Sequence, residues 1–83
     1  MKPNLAFLDK VERGEVYSYK SFSFFGGSHI DFYGYETTVI IKHANAGLII
    51  IRMPRMIWMR GKITLTPAGQ RALHPFLTNG VNP

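Results

Sequence analysis

AGLIIIRMPRMIWMRGKITLTPAGQRAL, residues 46–73, decides how this 83-residue chain folds. Leu48–Met53 is rich in β-branched residues and reads as a strand, Pro54-Arg55 supplies a turn, and Met56–Thr66 reads as the returning strand. Gly61 is a candidate bulge within that second strand. Thr66 followed by Pro67 is a helix start. The hydroxyl accepts a free backbone N–H, and proline has a suitable fixed φ where its missing N–H would bond nothing. A helix is expected from Pro67 to about Leu77, burying Ala72, Leu73, Phe76 and Leu77, with Pro75 distorting it or ending it early.

Upstream, Glu36–Ala46 (ETTVIIKHANA) reads as a helix closed by Gly47, against the weak opposition of the β-branched run at 37–41. Glu15–Tyr35 holds eight of the eleven aromatic residues: Tyr17, Tyr19, Phe22, Phe24, Phe25, Phe32, Tyr33 and Tyr35. Tyr17/Tyr19 and Phe22/Phe24 alternate with polar residues, and Gly26-Gly27 suits a tight turn, so the local pattern is a β-hairpin. Pro3–Arg13 reads as the first helix, with Leu5, Leu8 and Val11 on one face, Phe7 supporting Val11, and Gly14 just past the end. The fold class is therefore α+β, with residues 1–77 forming one domain and 78–83 a flexible polar tail.

Charge is distributed unevenly. All five carboxylates (Asp9, Glu12, Glu15, Asp31, Glu36) lie in the first 36 residues, against four basic residues there, giving −1. From Thr37 onward there are six basic side chains (Lys42, Arg52, Arg55, Arg60, Lys62, Arg71) and no acid, giving +6 and the overall +5. Such a stretch repels itself, and a polyanionic partner relieves the repulsion. Nucleic acid is the commonest such partner.

The order of elements resembles the winged-helix DNA-binding proteins of bacterial and phage type. The resemblance is carried by GEVY at 14–17, by a helix ending AGLI at 46–49, and by ITLTPAGQRAL at 63–73, and it covers most of the chain. It implies a helix, a short helix or aromatic hairpin, a recognition helix at 36–46, a β-hairpin wing, and a C-terminal helix. The family normally has a short helix between GEVY and the recognition helix. Either one lies in Tyr19–Phe25, or a β-hairpin replaces it.

At 100° per residue, Val39, Ile40, His43 and Ala46 share one side of the 36–46 helix, and Thr38, Ile41, Lys42 and Asn45 the other. The second side has major-groove chemistry: Asn45 for adenine, Thr38 for a base edge or phosphate, Ile41 for a thymine methyl, and Lys42 for phosphate. The resemblance implies that this is the recognition helix. A plain solvated face is the alternative. Arg52, Arg55, Arg60 and Lys62 fall on the candidate wing, against phosphates or in a minor groove, or else as charges guarding a strand edge. Met53, Met56, Ile57, Trp58 and Met59 around its tip suit a homodimer or partner surface, the alternative being packing on the core. The aromatic segment reads as core, with stacking of single-stranded bases as the other use of such residues.

Other chemistries find little support. There is no cysteine, hence no disulfide or thiolate metal site. His29, His43 and His74 show no ligand spacing; His29 and Asp31 share a strand face, and His43 reads as a satisfied core histidine. Ser21, Ser23 and Ser28 lie in no nucleophile elbow, and Gly26-Gly27 lacks the frame of a phosphate loop. No catalytic, metal or cofactor site is expected. MKPNLAFLDKVERG does not read as a signal peptide, and the apolar run at 48–59 is short and interrupted by arginines, so a soluble cytoplasmic protein is expected. Double-stranded DNA is the expected partner, bound by a small transcriptional regulator. The principal alternative is a phage or mobile-element module that docks on a host protein.

Overall fold

The structure is a computed structural model that describes residues 2–23, 25–56 and 58–75. Helix α1 covers Leu5–Glu12. Asn4 initiates it, its side-chain oxygen accepting the Phe7 N–H at 3.0 Å and so satisfying one first-turn donor. Gly14, at φ +77°, ends the turn that follows. Phe7, Leu8 and Val11 are buried, whereas Leu5, expected on that stripe, is largely exposed. Phe7 takes the inward position instead, its ring 5.0 Å from that of Tyr35 and 4.7 Å from that of His43.

Strands β1 (Tyr17–Ser23) and β2 (Gly27–Tyr33) form an antiparallel hairpin. Among the described residues the space between α1 and the next helix is therefore filled by strands, the hairpin alternative, with no short helix there. Ser23 pairs with Gly27, which makes Gly27 the first residue of β2 instead of a central turn residue. Helix α2 (Thr37–Asn45) follows, then β3 (Ile49–Ile51), β4 (Arg60–Leu65) and α3 (Pro67–Leu73). Both later strands are shorter than expected. Pro54-Arg55 is no tight hairpin turn, because β3 ends at Ile51 and β4 begins only at Arg60; Pro54 between them is buried, and the Met59 N–H bonds the Met56 carbonyl at 3.0 Å. Thr66 caps α3 as expected, and the helix stops before Pro75. Phe76, Leu77 and the 78–83 tail lie outside the described residues.

The four strands make one antiparallel sheet in the order β2-β1-β4-β3. The β1–β4 ladder joins the two hairpins, pairing Tyr17 with Lys62, Ser18 with Gly61 and Tyr19 with Arg60. This register is unbroken, so Gly61 is not a bulge. It is a close approach instead: a Cβ there would overlap the Arg52 carbonyl and the Ser18 hydroxyl. That hydroxyl, fully buried, lies 2.9 Å from the Arg52 carbonyl and 3.3 Å from that of Gly61.

α1 packs on β4 and α3, and α2 on β3. The core comprises Phe7, Leu8, Val11, Val16, Ile40, Ile49 and Ile63. Each large side chain fully removed from water contributes about 1.5–3 kcal/mol. His43 is buried as expected. Its Nδ1 lies 2.8 Å from the Val39 carbonyl, and its Nε2 accepts the Asn4 N–H at 3.0 Å, so the hydrogen-bond network assigns the proton to Nδ1. The aromatic segment divides. Phe32 and Tyr35 pack against the core, but Tyr33 is exposed on the face that the helices leave open, and Phe22 near the end of β1 and Phe25 in the turn are exposed as well. Phe24 lies outside the described residues.

Candidate nucleic-acid interface

Strand alternation sorts the sheet residues into two faces. Ser18, Gly61, Ile63 and Ile49 point to the helices and are buried. Tyr17 and Tyr19 on β1, Tyr33 and Asp31 on β2, and Arg60 and Lys62 on β4 point the other way. The Arg52 N–H bonds the Lys62 carbonyl at 2.9 Å, which carries the ladder one step beyond β3. A row Tyr33–Tyr17–Lys62–Arg52 thus crosses all four strand positions.

Packing on this face is specific. The rings of Tyr17 and Tyr33 stack with centroids 5.0 Å apart and planes 22° from parallel. The Arg60 guanidinium lies 4.3 Å from the Tyr17 centroid. Tyr19 meets the edge of Tyr17 at 6.4 Å. At the far end His29 and Asp31 are 3.4 Å apart, and no third ligand joins them among the described residues.

The four wing residues come together. Arg52, Arg55, Arg60 and Lys62 line one open concavity of about 500 Å³, with Met53, Pro54, Met59 and Gly61 completing it and no carboxylate in its lining. Among the described residues none of these cations forms an ion pair, and neither do Lys42 and Arg71. The acids Asp9, Glu12 and Asp31 meet other partners: Asp9 pairs with Arg13 at 3.1 Å, and Glu12 and Asp31 lie 2.7 Å from His74 and 3.4 Å from His29, contacts that are ion pairs only when the imidazole is protonated. Lys20 ties β1 to this loop, its ammonium donating to the Arg55 carbonyl at 3.4 Å.

Thr38, Ile41, Lys42 and Asn45 are all exposed on α2, opposite the buried Ile40 and His43. They form a surface of their own, since none of them lines the basic concavity. Met53, Met56 and Met59 are exposed, and Trp58 is 77% exposed, so the loop does not pack these side chains into the core. Ile57 lies outside the described residues.

Sequence reasoning missed one grouping. A second concavity, of about 650 Å³, is lined by Lys10, Gly14, Glu15, Tyr17, Tyr33, Gly34 and Arg60. The alternation of Tyr17 and Tyr19 signalled a shared face, but nothing local signals that β4 would lay Arg60 beside them. Compared with known proteins, the chain matches no family model, no curated protein and no solved structure. Among the described residues no helix is long and apolar enough to cross a membrane.

Proposed function

We propose that this protein binds double-stranded DNA, as a small transcriptional regulator of winged-helix-like design. The observation that supports this reading most is the convergence of Arg52, Arg55, Arg60 and Lys62 on one carboxylate-free concavity. Four cations around one hollow, without an ion-pair partner among the described residues, repel each other, and a phosphate backbone neutralises them with release of counterions. The exposed side of α2 adds the side chains that read base edges: Asn45, Thr38 and Ile41, with Lys42 on phosphate. Anisotropy titration of a labelled mixed-sequence duplex across salt concentrations tests it. Neutralising about four phosphates gives a slope of log K against log[salt] near −3.6. No binding at ~150 mM salt up to ~10⁻⁴ M protein sinks it.

The exposed Met53, Met56, Met59 and Trp58 favour a second reading, a phage or mobile-element module whose basic, methionine-rich loop docks on a host protein. The same loop would serve a regulator as its homodimer contact. DNA silence in the titration, with a defined complex formed by a purified partner and lost in Trp58→Ala, selects this second reading.

A further inference from the structure

The open sheet face carries two stacked rings, Tyr17 and Tyr33, that the proposed duplex contacts do not use. Strand β1 lies between β4 and β2, so Tyr17 has Arg60 on one side and Tyr33 on the other. The result is a ladder of three flat groups running across the sheet. Among the described residues no strand lies beyond β2, and Tyr33 is 59% exposed. The outward side of the Tyr33 ring is the open end of the ladder.

We propose that this end takes an unpaired nucleobase, which extends the Arg60–Tyr17–Tyr33 stack by one member. The occupant is single-stranded nucleic acid, or an unpaired nucleotide within a duplex. The inference rests on the reading that nucleic acid is this protein's ligand and names a second site for it. Charge complementarity identifies the occupant. The concavity beside the stack holds the cations of Lys10 and Arg60, and Lys62 is next on the face. Lys10 donates one hydrogen bond, to the Gly34 carbonyl at 3.2 Å, and an ammonium has three to give. Among the described residues Glu15 is the one carboxylate of that lining, and Asp31, two positions before Tyr33 on the same face, lies outside it and beside His29 at 3.4 Å. Aromatic rings with flanking cations bind unpaired bases regardless of sequence, because every base has a π-face. An apolar peptide partner would have little use for the cations.

The test is titration of a labelled single-stranded 20-mer, and of the same sequence as duplex, with wild type, Tyr33→Leu and Tyr33→Phe. Tyr33 is exposed, so both variants are expected to fold, which circular dichroism checks. The expected result is single-strand affinity about 5- to 150-fold weaker in Tyr33→Leu, near wild type in Tyr33→Phe, with duplex affinity within about twofold in both. If Tyr33→Leu binds the single strand like wild type, or weakens both ligands equally, the stacking site is overturned while the duplex reading stands. Wild-type binding to duplex alone has the same consequence. Binding to neither ligand overturns both.

Discussion

The Arg60 guanidinium sits 4.3 Å from the centre of the Tyr17 ring, on the strand that pairs with Tyr17's own. That contact fixes a long cation in place at little entropic cost, beside Lys62 and the basic concavity. Arg60→Ala is expected to lower stability by about 0.5–1 kcal/mol in urea denaturation, the usual worth of an exposed cation–π pair. The salt slope for duplex binding is expected to fall by about 0.9, one phosphate contact. An unchanged slope places Arg60 away from the DNA.

Gly61 is predicted to tolerate no side chain. Its neighbours are the Ser18 hydroxyl of β1 and, just past β3, the Arg52 carbonyl and the Pro54 ring. A methyl group there forces backbone apart where the two hairpins join, and such overpacking costs about 1–3 kcal/mol. Ser18→Ala removes the buried donor shared by Arg52 and Gly61 and is expected to cost about 1–3 kcal/mol through unsatisfied carbonyls. Combining the two tests the origin of the strain, because the alanine at 18 also removes the hydroxyl that the added methyl meets. The double variant is expected to be less destabilised than the sum of the singles, measured by thermal and urea unfolding. Strict additivity means that the Arg52 carbonyl alone sets the limit.

Specificity and affinity are predicted to separate between the two surfaces. Asn45→Ala, on the exposed side of α2, is expected to cost about 1–3 kcal/mol on the preferred duplex and little on random duplex. Arg55→Ala, in the basic concavity, is expected to weaken all duplexes alike. Selection of a preferred site from a random pool, followed by titration of both variants, checks this. Wild-type behaviour of both removes these residues from the interface.

Local chemistry explains which parts were legible in the sequence. Asn45 and Thr38 could be placed on one exposed side because helix geometry repeats over four residues, and Thr66-Pro67 announced α3 because a cap is a contact between near neighbours. The buried, doubly bonded His43 followed from its position on the apolar side of the same helix. The β1–β4 ladder was not legible, since it joins residues more than 40 positions apart and depends on the Gly61 approach to Ser18. That ladder decides the candidate site: without it Arg60 belongs to a wing and Tyr17 to a core, and with it they are neighbours. Pro54 misled in the same way. Local preference suggests a tight turn, whereas its ring is buried and β4 does not begin until Arg60.

Thr66 joins the start of α3 to the exit of α2 through one hydroxyl. It accepts the Gly69 N–H at 3.1 Å, capping α3, and donates to the Gly47 carbonyl at 2.6 Å, just past the end of α2. Its own N–H bonds the Leu48 carbonyl at 3.1 Å. The hydroxyl therefore holds the start of α3 against the exit of the helix proposed to read DNA. Thr66→Ala removes the cap, typically about 0.5–2 kcal/mol, and a second hydrogen bond of about 0.5–1.5 kcal/mol, for a combined loss of about 1–3.5 kcal/mol. Thr66→Ser keeps the hydroxyl and is expected to restore most of it. Amide exchange locates the effect: faster exchange is expected at Gly69, and at Ala46 and Gly47 where α2 ends, with the β1–β2 hairpin unchanged. Should serine fare no better than alanine, the methyl of Thr66 carries the effect, and the hydroxyl bridge between α2 and α3 is not what stabilises this corner.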